Sequence, residues 1–137
     1  MPSDTVIEEL KKRGHNLILL GPLAENDTEV DWPLVSSHTA GAVAAGKADE
    51  GIVFCRTGTG ASIAANKVRG IRAALCHDAE TARGARIWNH ANVLALSLRA
   101  TSEALAKEIL EAWFATPYSD DEWNRQQMER IKQIEDH

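Results

Sequence analysis

Apolar residues follow two spacings along this chain, one typical of helices and one typical of buried strands. Near the start, Val6, Ile7 and Leu10 recur at the spacing of a helix that Ser3 or Asp4 caps. Elsewhere short runs are apolar throughout, as in strands that helices cover on both faces. The first predicted helix ends at about residue 13, and the others span about residues 33–46, 61–68, 79–88, 102–115 and 121–135. The predicted strands are residues 16–20, 52–55, 71–76 and 92–97.

The order of these elements predicts an α/β fold. Strands that alternate with helices are joined by right-handed crossovers and lie parallel in one sheet. Gly14 ends the first helix, Pro33 suits the first turn of the second, and the acidic stretch 23–31 is predicted to be a loop. A chain of 137 residues without an internal repeat or linker suggests one domain, residues 1–137.

The run from Gly51 to Arg72 is the most informative part of the chain. Cys55 stands at the exit of a predicted buried strand, and a Thr- and Gly-rich turn leads from it into a helix of small residues. Open α/β sheets bind anionic ligands at such turns, where backbone N–H groups point outward. A cysteine there has a physical reason to be ionised and reactive. The competing interpretation is a buried thiol at a strand end, with glycines that only make a tight turn.

Composition and charge exclude several classes of protein. The chain is 44% apolar and 26% charged, which argues against disorder, and its net charge of −5 argues against a general nucleic-acid binder. Both cysteines fall at strand ends and nothing marks secretion, so we expect reduced thiols in a cytoplasmic protein. No segment approaches the length of a membrane span. No cluster of His, Cys, Asp and Glu has the spacing of a metal site.

The second cysteine is interpreted differently from the first. No Gly-rich loop follows Cys76, so we expect it to be a small packed apolar residue. His77 and Asp78 come next and either face the site or, for Asp78, cap the following helix; capping is the favoured interpretation.

Five segments together are similar to one known family. They are Cys55-Arg-Thr-Gly-Thr-Gly60, Ser62-Ile-Ala-Ala-Asn-Lys67, Gly70-Ile-Arg-Ala-Ala-Leu-Cys-His-Asp78, Thr81-Ala-Arg83 and Asn92-Val-Leu-Ala-Leu96. In this order they resemble the ribose-5-phosphate isomerase B and galactose-6-phosphate isomerase family. The resemblance implies a Rossmann-like three-layer α/β/α sandwich. It also implies a homodimer or dimer of dimers with shared active sites, in which the helix of about residues 121–135 packs across the dimer.

The resemblance further implies aldose–ketose isomerisation of a sugar phosphate, of the ribose 5-phosphate and ribulose 5-phosphate type, without a metal or organic cofactor. Cys55 corresponds to the base that moves a proton between adjacent carbons through a cis-enediolate. Thr57 corresponds to a hydroxyl that assists proton movement between the substrate oxygens. The N–H groups that would bind the enediolate belong to Gly58, Thr59, Gly60, Ala61 and Ser62, and each well-aimed donor is worth about 3–4 kcal/mol of barrier. The two glycines among them are expected to take positive φ.

The first departure from the family pattern lies at the start of the chain. The family opens with a strand and a turn that supply an Asp and a His to the site, whereas this chain begins inside the helix that would follow. We therefore expect either that the chain is a piece of a longer product or that this version lacks one edge of its site.

The second departure is at Trp88. The segment Arg86-Ile-Trp-Asn89 stands where the family has Arg-x-His-Asn, whose His helps to open the sugar ring. An indole cannot transfer a proton as an imidazole does, and helix geometry points His90 away from that position. We hypothesise an open-chain substrate such as a tetrulose phosphate, with Trp88 as an apolar wall and Asn89 as a partner of a sugar hydroxyl.

The third departure concerns the arginines that bind phosphate in the family. Other residues hold those positions of the last helix here, so the anion would have to be bound by Arg125, Arg130 or Arg99. The alternative is that Arg125 and Arg130 are solvated charges that pair with Glu122 and Glu129.

Two further residues correspond to family positions. Trp32, in Asp31-Trp-Pro33, resembles an aromatic residue near the sugar, and it either walls the site or packs at the helix start. Asn66 is interpreted as structural.

Two other function classes compete with an isomerase. The first is a non-catalytic sugar-phosphate-binding relative that has lost partner residues of the site. The second, a nucleotide-binding flavodoxin-like module, is disfavoured because it does not explain Cys55 at the strand exit. The chain also lacks an acidic residue at a convincing ribose-binding spacing.

Overall fold

Three parallel strands form the middle layer of the computed structural model, which describes residues 2–25 and 27–136. They are β1 (Gly51–Cys55), β2 (Ala73–Leu75) and β3 (Val93–Ser97), in the order β1-β3-β2. The register pairs Cys55 with Ser97, so both strands end together. We call this side of the sheet the carboxyl edge and the opposite side the amino edge.

Six α-helices surround this sheet in the described residues. They are α1 (Pro2–Lys12), α2 (Trp32–Ala44), α3 (Thr59–Asn66), α4 (Ala79–Asn89), α5 (Glu103–Ala115) and α6 (Glu122–Glu135), with a short 3₁₀ helix at Gly21–Leu23. Val93 and Ala95 of β3 pack with α2 and α3, whereas Leu94 and Leu96 pack with α1, α4 and α5 on the other face. The predicted three-layer α/β/α sandwich is therefore confirmed.

Side-chain caps set the beginnings of three helices. Asp78 accepts the Thr81 N–H at 2.7 Å, which confirms its predicted capping role, and Ser102 and Asp121 cap α5 and α6 in the same way. The first helix differs from expectation because it begins at Pro2, so Ser3 and Asp4 lie inside its first turn rather than at its cap.

Two predicted strands differ in the structure. Residues 16–20 have no regular secondary structure, and within the described part of the chain they join no sheet; a groove lies between them and β1. β2 is shorter than the predicted span 71–76, since the Arg72 N–H bonds to the Asn92 side chain instead of to a strand.

The bounds of the other predicted helices and strands lie close to those in the structure. The predicted loop 23–31 includes Asn26, which lies outside the described residues. None of the described helices combines the length and the apolar character that crossing a membrane demands.

Candidate active site

Cys55 is the last residue of β1, and its sulfur is held by the turn that follows. The Gly58 N–H donates to Cys55 Sγ at 3.1 Å and the Ala61 N–H at 3.4 Å. The side chain is half-buried at the carboxyl edge. Two backbone N–H donors therefore converge on one sulfur at the end of β1, and the thiolate is the nucleophilic and basic form of a cysteine.

Gly58 is the residue that gives the turn its shape. It is buried, lies in the left-handed region with φ +82°, and forms the N-cap position of α3. A Cβ on this residue would overlap the Leu75 side chain and would approach the backbone of Leu96 and Ser97 to 3.1 Å. The turn therefore requires glycine on two grounds, its backbone conformation and the space around it.

The five N–H groups expected to bind an anion are used in different ways. Those of Gly58 and Ala61 point to the sulfur, and that of Ser62 donates to the Gly58 carbonyl at 3.0 Å within the helix. Among the described residues, no acceptor faces the N–H groups of Thr59 and Gly60. The expectation that five N–H groups bind the anion therefore differs from the structure at Gly58, Ala61 and Ser62, and two donors stay available at the positive end of α3.

Trp32 covers this end of α3. A Cβ on Gly60 would lie 2.8 Å from the Trp32 ring, so the absent side chain at Gly60 makes room for the indole. The predicted positive φ is wrong for Gly60, because this residue is already helical. Trp32 is about half exposed and stands beside the two free donors, where it can bound a ligand on one side.

The loop after β3 lies against the Cys55 turn. The Ser97 hydroxyl donates to the Arg56 carbonyl at 3.0 Å, and the Arg99 N–H donates to the same oxygen at 3.0 Å. Arg56, Thr57 and Arg99 are all exposed at the carboxyl edge. The sequence pattern does not predict this role of Ser97; a lone hydroxyl at the end of an apolar strand is the one local signal for it.

Two predicted site residues lie at the other edge of the sheet. Helix α4 leaves the carboxyl edge after β2 and runs back for eleven residues, about 16 Å, so that Trp88 and Asn89 end at the amino edge. The His90 carbonyl accepts from Arg72 Nε at 2.8 Å, just before β2 begins. Within one chain, Trp88 and Asn89 are therefore not brought to Cys55.

His90 has a structural role at this end of α4. It takes a left-handed conformation with φ 47°, stacks on Tyr118 and bonds to the Ser119 hydroxyl at 3.0 Å. That His90 does not replace the ring-opening histidine of the family stays a prediction.

The last helix lies along the amino edge. Ser119, which precedes α6, donates its N–H to the Ile87 carbonyl, and Glu135 at its end accepts the Gly70 N–H. Arg125 is exposed there and pairs with Asp120 at 2.9 Å, not with Glu122. A cavity of about 570 Å³ separates α6 from the end of α4.

Cys76 provides a contrast to Cys55 in the same protein. It is fully buried, and desolvation together with the nearby Asp78 carboxylate raises the pKa of its thiol to about 12. This confirms the expectation of a packed apolar residue. Asn66 is also structural as predicted, because its side-chain amide makes two hydrogen bonds with the backbone of Ala73.

No group of three His, Cys, Asp or Glu side chains capable of holding a metal ion occurs in residues 2–25 and 27–136. The site at the carboxyl edge is built from a sulfur, backbone amides and an indole.

Comparison with known proteins gives consistent matches over most of the chain. A family model described as Ribose/Galactose Isomerase matches residues 3–134. Ribose-5-phosphate isomerase B of Escherichia coli K12 is 40% identical over 130 residues, which are 95% of this chain and 85% of that protein. D-erythrulose-4-phosphate isomerase of Pectobacterium atrosepticum is 42% identical over 112 residues, 80% of this chain and 72% of that protein. A solved structure of Clostridium thermocellum ribose-5-phosphate isomerase B superposes with a TM-score of 0.89 at 39% identity, covering 98% of this chain and 88% of that one.

Proposed function

This chain belongs to the ribose/galactose isomerase family and is an enzyme of the aldose–ketose isomerase type, and we propose that Cys55 is its catalytic base. The Cys55 thiolate takes a proton from the carbon next to the substrate carbonyl, and the electron pair of that C–H bond forms the cis-enediolate. The resulting thiol returns the proton to the neighbouring carbon, while Thr57 assists the transfer of the hydroxyl proton between the two oxygens.

The observation that carries this proposal is the pair of amide donors on the sulfur. The Gly58 and Ala61 N–H groups fix the Cys55 sulfur at the carboxyl edge, beside the first turn of α3. The half-exposed position of Cys55 leaves it open to a small ligand.

The oxyanion of the enediolate would be bound by the two free donors. The N–H groups of Thr59 and Gly60 are one and two residues into α3, next to the turn that holds the sulfur. Preorganised donors of this kind act on charge that develops in the transition state. Trp32 closes one side of the same space.

The separation between the two edges of the sheet supports a site shared by two copies of the chain. A second copy that placed its amino edge against the Cys55 turn would add the partner subunit's Asn89 for a sugar hydroxyl and the partner subunit's Arg125 for the phosphate, beside Arg99 of the first chain. The amino edge carries exposed large apolar side chains, which are Trp88, Trp123 and Ile134. Exposed apolar groups of this size are typical of association surfaces. The proposed unit is thus a homodimer or dimer of dimers of a single domain, in the cytoplasm, where both thiols stay reduced.

The proposed substrate is an open-chain sugar phosphate of four carbons. Trp88 offers a flat apolar wall and no proton-transferring group, and a tetrulose phosphate has no ring to open. The Pectobacterium atrosepticum relative named for D-erythrulose 4-phosphate supports the same substrate class.

A turnover assay over tetrose, pentose and hexose phosphates tests the proposal. We expect Cys55→Ala to lose isomerisation of every substrate, while the matched variant Cys76→Ala keeps it. Erythrulose phosphates should turn over faster than ribose 5-phosphate. Full activity in Cys55→Ala would rule out the base, and binding without turnover by the unaltered protein would identify a non-catalytic relative instead.

A further inference from the structure

One buried hydroxyl joins the loop after β3 to the Cys55 turn. Ser97 follows four apolar residues as the last residue of β3 and is 2% exposed. Its hydroxyl donates to the Arg56 carbonyl at 3.0 Å and accepts the Ala100 N–H at 3.0 Å. Both hydrogen-bonding roles of this side chain are therefore used, and together they connect the chain that leaves β1 with the chain that leaves β3.

Backbone hydrogen bonds already hold the loop after β3 without this hydroxyl. The Leu98 N–H donates to the Cys55 carbonyl at 3.0 Å. The Arg99 N–H donates to the Arg56 carbonyl at 3.0 Å. Because these bonds do not involve the side chain at position 97, the path of the loop and the place of Arg99 do not depend on it. The hydroxyl adds a second donor on the Arg56 carbonyl.

The Arg56 carbonyl belongs to the peptide group that leads into Thr57. A peptide group is planar, so two donors on its oxygen also fix the plane from which the next residue begins. Thr57 is exposed, and within residues 2–25 and 27–136 its side chain makes no hydrogen bond. The place of the Thr57 hydroxyl therefore depends on its backbone, which Ser97 holds.

We propose that Ser97 is a positioning residue, which holds Thr57 where its hydroxyl reaches both oxygens of the enediolate. This role depends on the proposed function, in which Cys55 removes the carbon-bound proton and Thr57 assists the transfer between the oxygens. Ser97 acts only through the peptide group before Thr57. In the assisted step one hydroxyl proton leaves one oxygen of the enediolate and reaches the other, so no proton is gained or lost.

Two fates of the enediolate separate the role of Ser97 from that of Cys55. Return to the substrate needs only the base, and it exchanges the carbon-bound hydrogen with solvent. Formation of the product also needs the transfer of the hydroxyl proton between the oxygens. Loss of the Ser97 hydroxyl should therefore slow product formation and spare the exchange, whereas a loss of folded protein would lower both rates equally.

Ser97→Ala tests this role with a tetrulose phosphate in D₂O. NMR measures product formation and deuterium in the recovered substrate, and circular dichroism gives the folded fraction. We expect kcat for product formation to fall at least about tenfold, with the KM and the deuterium incorporation into substrate within about twofold of those of the unaltered protein. Unchanged product formation, or an equal fall of both rates per folded molecule, would overturn the proposal.

Thr101→Val is the matched control in the same loop. Thr101 is 3% exposed, and its hydroxyl has no hydrogen-bond partner among the described residues. Valine has a similar shape and breaks no hydrogen bond there, so both rates should stay within about twofold of the unaltered ones. A selective loss of product formation in Thr101→Val would contradict the proposal, because any change in the loop would then have the same effect.

Ser97→Cys carries the test if the alanine variant does not fold. Its thiol fills nearly the same space but is a weak donor, so product formation should again fall more than exchange. Cys55→Ala in the same assay should lose both reactions. Deuterium incorporation by folded Cys55→Ala would refute the proposed base, whereas normal product formation by folded Ser97→Cys would refute only the role of Ser97.

Discussion

The Gly58 N–H lies 3.1 Å from the sulfur of Cys55 and donates to it across the turn that ends β1. The same glycine is buried with φ +82°. One residue thus sets both the path of the backbone and the environment of the proposed base, so the stability and the chemistry of this turn cannot be altered separately at this position.

Substitution of Gly58 by alanine should strongly destabilise the protein. A Cβ would overlap Leu75 and strain a left-handed backbone, and together these effects should lower the free energy of unfolding by about 2–4 kcal/mol. Urea denaturation measures this change.

Gly41→Ala is the matched control, because no atom lies within 4 Å of a Cβ on this helical glycine. It should leave stability unchanged or raise it by about 1 kcal/mol. Equal destabilisation by both substitutions would contradict the steric argument.

The two cysteines should differ sharply in alkylation. Cys76 is fully buried and its thiol has a pKa of about 12, so roughly one molecule in 10⁴ carries the thiolate at pH 8. Iodoacetamide should therefore label Cys55 at least about a thousandfold faster, as mass spectrometry of peptides would show. Comparable labelling of both residues in the folded protein would be incompatible with this structure.

Burial of Cys76 should also make stability depend on pH in the alkaline range. The unfolded thiol ionises near pH 9.0, whereas burial holds the folded pKa near 12, so the unfolded state releases its proton first. The free energy of unfolding should thus fall as pH rises from 9 towards 12. Cys76→Ala should flatten this slope; an identical slope in the variant would show that other groups cause it.

Gly60→Ala should affect substrate binding more than the chemical step. The new methyl group would meet the Trp32 ring at 2.8 Å and push it from its place beside the Thr59 and Gly60 donors. We expect the KM to rise about fivefold with little change in kcat, measured by steady-state kinetics. A loss confined to kcat would argue that Trp32 does not bound the substrate.

A shared site predicts complementation between two inactive variants. Cys55→Ala and Asn89→Ala homodimers should each be inactive, but mixed dimers would contain one site with both residues intact. Equal mixing after dissociation should restore about a quarter of the unaltered activity if subunits pair at random. No recovery, with mixed dimers demonstrated by mass spectrometry, would place Cys55 and Asn89 in separate functions.

Local patterns were sufficient for the elements that are buried on both sides. The apolar run Val93–Ser97 and the amphipathic helix ending at Ala115 are where the sequence indicated, since packing and capping signals agree there. Residues 16–20 have an equally apolar pattern, yet they form no ladder with the described strands, because a groove lies between them and β1. A pattern within one segment does not specify which segment lies next to it.

The site was predicted in part for the same reason. The motif around Cys55 is continuous in sequence, so its turn and its N–H donors can be predicted from the local sequence alone. The glycine at position 60 makes room for the Trp32 ring, a contact distant in sequence, and does not take the positive φ predicted for it. Trp88 and Asn89 stand at the end of α4, and the length of this helix carries them to the other edge of the sheet.

Incorporation of solvent deuterium into the substrate tests the central role of Cys55 most directly. NMR in D₂O would follow the carbon-bound hydrogen next to the carbonyl while a tetrulose phosphate is incubated with the unaltered protein, Cys55→Ala or Cys76→Ala. A sulfur that removes this hydrogen exchanges it with solvent, so the signal should decay with the unaltered protein and with Cys76→Ala and persist with Cys55→Ala. Deuterium incorporation by folded Cys55→Ala at the unaltered rate would show that another group is the base.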